Sequence, residues 1–201
     1  MQDTCQILFL YFCEKPSLLK VLFRKYASVL RFVVLFLGTY ILLSVLYGVY
    51  LNLSKEGVYA PDFITNLVAK QSRSIIDGVG YQAEVIPHTS KPTMKLYING
   101  KYLAHIIEGC NAVSIMILFV AFVISFAQHW KKTLLFILAG AVLIYAMNVV
   151  RIAILGVMLF EYPQYNKMLH GVVFPGIIYG MVFLLWMFWV RGLSSKKHKN
   201  E

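Results

Sequence analysis

Charged residues are scarce in this chain, and acidic residues are the scarcer of the two kinds. Only 14% of the 201 residues are charged, with nine Asp and Glu against nineteen Lys and Arg, whereas 59% are apolar. The mean hydropathy of +0.69 lies outside the range of ordinary soluble domains. This composition excludes a soluble globular protein and predicts an integral membrane protein.

Cysteine is also rare, and its spacing excludes two common uses. The three cysteines, Cys5, Cys13 and Cys110, form no CxxC motif and no even framework of pairs, so neither a disulfide scaffold nor a structural zinc site is predicted. The sequence has no Gly-rich phosphate loop, no internal repeat and no low-complexity tract. We therefore predict no metal and no cofactor.

The formal charge of +10 could indicate a nucleic-acid partner, but the position of the basic residues argues otherwise. They lie beside apolar runs, where such residues set membrane topology and contact anionic lipid. We predict contact with membrane lipid and no nucleic-acid partner. The basic groups are Lys20, Arg24, Lys25 and Arg31; Lys131 and Lys132; and Arg191, Lys196, Lys197 and Lys199.

Four apolar runs predict membrane spans. The basic flanks place both chain ends and the connection after the second span in the cytoplasm. The predicted fold is an all-α integral membrane protein of the inner (cytoplasmic) membrane, with an N-terminal interfacial helix and a small extracytoplasmic α+β cap. An interfacial, cytoplasmic segment is predicted at 1–31 and a basic cytoplasmic tail at 191–201. The predicted spans are 32–53, 111–127, 133–160 and 172–190, and the last three form a bundle at 110–190.

The long hydrophilic segment at 54–109 is the predicted cap. Apolar residues recur at helical spacing from Phe63 to Ile76, and the pattern stops at Gly78. The pattern then changes to two strand-like runs around Asn99-Gly100, a strong signal for a two-residue hairpin turn. One helix and a β-hairpin are predicted there.

Three chemically useful side chains are predicted at the outer level of the membrane. Cys110 begins the second span, and His170 precedes the fourth. Arg151 lies 18 residues into the third span, or about 27 Å along a helix. An arginine near the centre of a span costs about 2.5 to 3.5 kcal/mol, which marks it as a functional candidate, although an interfacial arginine can snorkel at low cost. Each residue also has a purely structural interpretation. Cys110 could be an inert buried thiol, Arg151 a polar link between helices, and His170 an ordinary interfacial histidine.

Four neighbouring residues are candidates for supporting roles. A helix start at Cys110 would stabilise a thiolate through the helix dipole, and Gly109 would leave room for a substrate backbone. Asn148 shares a helix face with Arg151, so it could hold the guanidinium or link two helices. Glu108 could orient His170, receive a basic substrate group, or be an ordinary solvated carboxylate; Asn111 completes the group.

The sequence resembles the exosortase/archaeosortase family of membrane-embedded cysteine transpeptidases, over roughly residues 100 to 190. The resemblance lies in Glu-Gly-Cys-Asn at 108–111, Asn-Val-Val-Arg-Ile at 148–152 and His170 before the last span. The length and the insert before the cysteine are most similar to type F exosortases of the Bacteroidetes lineage. Many members carry N-terminal spans in addition to the four predicted here.

The resemblance implies an activity and a partner. The partner would be an exported protein with a C-terminal motif, one transmembrane helix and a basic tail, cleaved at the periplasmic face of the membrane. Cys110 would attack the carbonyl to form a thioester, Arg151 would stabilise the oxyanion or orient the substrate, and His170 would protonate the leaving amine. The acceptor, an amine or water, stays open.

Two other classes of function are compatible with the pattern. In a transport subunit, Asn148 and Arg151 would bind an anion, although the sequence shows no inverted repeat. In a non-enzymatic assembly factor, the cap would bind an exported partner. The transport subunit predicts that Cys110→Ser stays active. The assembly factor predicts that function tolerates changes at Cys110, Arg151 and His170.

Overall fold

The computed structural model describes residues 25–54, 61–88, 91–127 and 129–197, and it is mostly helical. Most of the predicted interfacial segment, residues 1–24, lies outside the described residues. The five longer helices are α1 (Ala27–Ser54), α2 (Phe63–Gly78), α3 (Val113–Ser125), α4 (Trp130–Glu161) and α5 (Phe174–Lys197). A three-stranded antiparallel sheet, β1 (Ala83–Pro87), β2 (Met94–Ile98) and β3 (Lys101–Ile106), lies between α2 and α3 in the chain.

Three helical stretches among the described residues are long and apolar enough to cross a membrane. They are Ala27–Ser54, Trp130–Glu161 and Pro163–Gly192, and each extends beyond both ends of the corresponding predicted span at 32–53, 133–160 or 172–190. The predicted span at 111–127 instead contains α3, an apolar helix of 13 residues. At 1.5 Å per residue α3 rises only about 20 Å.

The sheet is larger than the predicted hairpin. Asn99 and Gly100 both have positive φ and join β2 to β3, as a two-residue turn of this sequence requires. The unpredicted strand β1 pairs with β2 from Ala83↔Ile98 to Pro87↔Met94. The fold is mostly helical, as predicted, and the predicted hairpin has to be corrected to a three-stranded sheet.

Helix α2 begins and ends where its sequence indicates. The side chain of Asp62 accepts hydrogen bonds from the backbone N–H groups of Ile64 and Thr65, both at 3.0 Å, which caps the helix N-terminus. At the other end, Gly80 has a φ of +100°, which turns the chain toward β1. Local signals thus set both ends of α2.

Two separate apolar clusters hold the described part of the chain together. The first joins α2, the inner face of the sheet and the second half of α4, and Gly156 lets the sheet approach that helix: a Cβ there would lie 3.1 Å from Leu96 and 3.2 Å from Ile76. The second joins α3, the first half of α4 and α5, where the Phe119 ring lies directly over Gly140. Helix α1 packs against α3 through Phe32, whose ring is 4.7 Å from that of Phe126.

Candidate active site

Cys110 ends a short 3-10 turn, Glu108–Cys110, between β3 and α3. Its backbone N–H donates to the carbonyl of Ile107 at 2.8 Å, so the turn closes on itself. The side chain is half-buried and the thiol is free. Cys110 therefore precedes the start of α3 at Val113 by three residues, whereas the sequence predicts a helix that starts directly at the cysteine.

Asn148 connects this turn to α4. Its side-chain amide donates a 2.7 Å hydrogen bond to the backbone carbonyl of Cys110. The same residue accepts a 3.4 Å hydrogen bond from a terminal nitrogen of Arg151, one turn further along the helix. Asn148 is fully buried, so this pair of contacts fixes the cysteine backbone and the guanidinium relative to one another.

The remaining donors of Arg151 are largely unused. Its Nε atom is buried and has no hydrogen-bond partner, and no carboxylate pairs with the guanidinium among the described residues. A buried donor without a partner costs about 1 to 3 kcal/mol, and more for a charged group. A cation left in this state is suited to binding an oxygen that carries negative charge.

His170 lies in a π-helical turn, Leu169–Val173, directly before α5. The N–H of Phe174 bonds back to the carbonyl of Leu169, five residues earlier, which is the wider π spacing. Pro175 favours this geometry because it has no N–H with which to bond the carbonyl of Gly171, four residues before it. The imidazole is exposed. The π turn that contains His170 leads directly into α5.

One cavity of about 50 Å³ is lined by all three candidate residues, Cys110, Arg151 and His170. They come from the 3-10 turn, α4 and the π turn, which are far apart in the sequence. The rest of the wall is largely apolar and is formed by β2, β3 and the second half of α4, through Leu96, Ala104, His105, Ile106, Ile152, Leu155, Gly156 and Leu159.

Asn111 faces away from this cavity and anchors the other side of the turn. Its amide donates to the hydroxyl oxygens of Tyr47 at 2.8 Å and Thr65 at 3.1 Å, and its side-chain oxygen accepts from Val113 N–H at 3.0 Å. The next residue, Ala112, has a φ of +62°. A left-handed conformation is costly for alanine and persists only where its surroundings enforce it, and here these hydrogen bonds do so.

The other two supporting candidates do not line the cavity. Glu108 and Gly109 are both exposed. A Cβ at Gly109 would meet only the Ile107 side chain, at 3.8 Å, so the space beside this residue is open. The structure brings together Cys110, Asn148, Arg151 and His170 and leaves Glu108 apart.

The sequence pattern did not single out His105, which lines the cavity from β3. Its Nδ1 lies 3.3 Å from Thr93 Oγ1, and its ring centroid lies 5.5 Å from that of His88. Burial together with the neighbouring charges, Lys95 foremost, lowers the pKa of His88. A usable signal was the position of His105, on the strand that runs directly into Glu108-Gly109-Cys110.

A family model described as "Transmembrane exosortase (Exosortase_EpsH)" matches residues 2–191, nearly the whole chain. The chain belongs to the transmembrane exosortase family. The resemblance in the sequence is confirmed at this level, and with it a membrane-embedded protein of a family whose members are generally cysteine transpeptidases. Comparison with curated proteins and comparison with solved structures each gave no match.

Proposed function

We propose that this exosortase cleaves the C-terminal sorting signal of exported proteins through a thioester on Cys110. The observation that carries the proposal is the common cavity of Cys110, Arg151 and His170. Family membership supports a transpeptidase in general terms, and the cavity is lined by a thiol, a guanidinium and an imidazole from three segments, which supports the proposed roles.

The chemistry follows from the three side chains. The Cys110 thiolate attacks the scissile carbonyl, and the resulting oxyanion is stabilised by the unpaired guanidinium of Arg151. His170 donates its proton to the nitrogen of the leaving amine as the C–N bond breaks, which leaves a thioester. An amine or water then attacks the thioester, loses a proton to His170 and releases Cys110.

The proposal includes a topology and a partner. We place the enzyme in the inner membrane with four spans, both chain ends in the cytoplasm, and the cap and cavity at the outer face. The partner is an exported protein with a C-terminal recognition motif, a transmembrane helix and a basic tail. A type F assignment is part of the same proposal and is supported by the insert before Cys110.

The decisive experiment compares the C-termini of surface proteins from wild-type and Cys110→Ala cells by mass spectrometry. We expect truncated C-termini in the wild type and intact sorting signals in the variant, at equal enzyme abundance. Any group joined to the truncated C-terminus identifies the acceptor. Normal processing in Cys110→Ala cells would rule the proposal out.

Matched variants separate the site from general damage to the protein. Cys13→Ala removes another thiol, and His129→Ala removes an imidazole at the start of α4, away from the cavity. We expect both to process the native substrate at the wild-type rate, whereas Cys110→Ala and His170→Ala do not. A transport role predicts activity in Cys110→Ser, and an assembly role predicts activity in both site variants.

A further inference from the structure

We propose that β3 is the docking strand for the substrate: an extended segment of the exported protein next to the scissile bond pairs with the open edge of β3. The proposal rests on the proposed function, because it concerns how the peptide reaches Cys110. It is carried by the difference between the two edges of the sheet and by the position of one of them at the cavity.

The edge formed by β1 is blocked at both of its ends. The N–H of Ala83 donates to the side chain of Asp77 at 2.7 Å, and Pro87 has no N–H to offer. Helix α2 also packs beside this strand. Capping and proline are the usual ways in which a protein prevents a further strand from adding to a sheet.

The edge formed by β3 is open within the described residues, where β2 is its only strand neighbour. Two backbone hydrogen bonds, both 2.8 Å, join the residues that flank β2 to the side of β1: His88 N–H donates to Thr93, and Asn99 N–H donates to Gln82. Thr93 and Asn99 are odd-numbered, so the odd-numbered residues of β2 between them also bond to β1. Because bonded directions alternate along an antiparallel strand, the even-numbered residues of β2 bond to β3.

This alternation fixes which backbone groups of β3 point outward. Ala104 and Ile106 pair with Leu96 and Met94, and so they direct their N–H and C=O groups toward β2. His105, which lies between them, directs its N–H and C=O groups to the open edge. The described hydrogen bonds give these two groups no partner.

The open edge lies at the cavity. Ala104, His105 and Ile106 line it together with Cys110, Arg151 and His170. The chain then passes through Ile107, whose carbonyl accepts the Cys110 N–H. A strand added to β3 therefore extends directly into the space in front of the thiol.

An extended peptide is the ligand that fits these features. A strand edge binds a peptide through main-chain hydrogen bonds, and neighbouring pockets select alternate side chains. Attack at a peptide carbonyl also needs a bond that is not enclosed within a helix. Pairing with β3 would hold the segment extended while the adjoining transmembrane helix stays in the lipid.

The test uses His105→Pro and His105→Ala in the full-length membrane enzyme. Both remove the imidazole, but only proline removes the outward N–H, and an outward position of an edge strand tolerates proline. The probe is the exported protein whose C-terminus changes most between wild-type and Cys110→Ala cells. We expect His105→Pro to process it about tenfold or more slowly than His105→Ala.

Val85→Pro is the matched control, because Val85 occupies the corresponding outward position on the blocked edge; it should process the probe at the wild-type rate. Equal rates for the two His105 variants would overturn the docking proposal. If Cys110→Ala still processes the probe, the proposed function fails; if only the His105 comparison fails, the docking strand alone is wrong.

A second test leaves the enzyme unchanged. Single prolines are placed in the probe at four positions on each side of its cleavage site, and processing is measured by mass spectrometry. Pairing with β3 predicts that prolines two residues apart are inhibitory and those between them are tolerated, on the side that contacts the strand. Uniform tolerance, or inhibition without this alternation, would overturn the proposal.

Discussion

The two halves of α4 belong to one helix but have different neighbours. In the first half, residues 130–145, Gly140 lies under the ring of Phe119, Ile144 is fully buried, and Phe136 stacks on Trp189 at 4.7 Å. The second half, residues 146–161, carries Asn148 and Arg151 and borders the cavity. The first half therefore holds the bundle together and the second positions polar groups, so changes in the two halves should affect different properties.

Arg151→Ala gives the largest expected effect. Among described side chains the guanidinium hydrogen-bonds only to Asn148, so loss of the guanidinium should lower processing by about 10²-fold or more while leaving stability nearly unchanged. Ile144→Ala should do the opposite, with about 2 to 5 kcal/mol less stability and normal processing per folded molecule. Thermal unfolding in detergent and a substrate-processing assay measure the two properties. Parallel losses in both variants would remove the distinction between the halves.

Asn148→Ala should affect both properties, because this residue belongs to the packing and to the site. We expect about 1 to 3 kcal/mol less stability, since the Cys110 carbonyl loses its buried donor, and about tenfold slower processing. Asn166→Ala, at an exposed asparagine, is the control and should change neither. Normal processing by Asn148→Ala would show that the cysteine turn keeps its position without this bond.

Substitution of two close-packed glycines by alanine should give a smaller effect and compares the two halves of α4 by packing alone. Gly140 lies in the first half and Gly156 in the second. A Cβ at Gly140 would lie 2.6 Å from Phe119 Cε1, and the ring is fully buried. Overpacking of this kind costs about 1 to 3 kcal/mol. At Gly156 the nearest atoms, the side-chain ends of Leu96 and Ile76, are 3.1 and 3.2 Å away. Gly140→Ala should therefore lower the unfolding temperature more than Gly156→Ala, and the reverse order would contradict the assigned packing.

Tyr81→Phe should give the smallest effect. The Tyr81 hydroxyl donates to Glu161 at 3.0 Å and so ties the entry to the sheet to the end of α4. This hydrogen bond raises the pKa of Tyr81 above its usual value. The stabilisation is thus complete below the unfolded pKa of about 10 and is lost as the pH rises through the folded value. Unfolding curves of wild type and variant should converge at high pH; a gap that persists there would contradict this origin.

The sequence was sufficient to predict three of the cavity-lining residues, Cys110, Arg151 and His170, but not His105. Cys110 and His170 precede apolar runs and Arg151 lies within one, and the order of the spans together with the helix rise predicts all three at one level of the membrane. Asn148 followed from helical spacing, because residues three apart share a face. These inferences depend only on periodicity and helix rise, which are local properties of the chain.

Other features could not be read from the sequence because they depend on contacts between distant segments. The strand β1 has an unremarkable pattern and exists because β2 and Asp77 give its backbone partners on both sides. Asn111 was a candidate for the site, but Tyr47 and Thr65 draw its amide to the opposite side of the turn. The wider π turn around His170 likewise depends on how the chain enters α5.

The short length of α3 has a mechanical consequence for the bilayer. Within the proposed topology, a helix that rises about 20 Å cannot match a hydrocarbon layer of about 30 Å. The lipid beside it must thin or flanking side chains must snorkel to the interface, at a cost of fractions of a kcal/mol per Å. Where the lipid thins, the Cys110 sulfur would lie in a local depression of the membrane surface. Bilayer thickness becomes a variable that sets how far a sorting signal must be drawn out of the lipid before it can be cut.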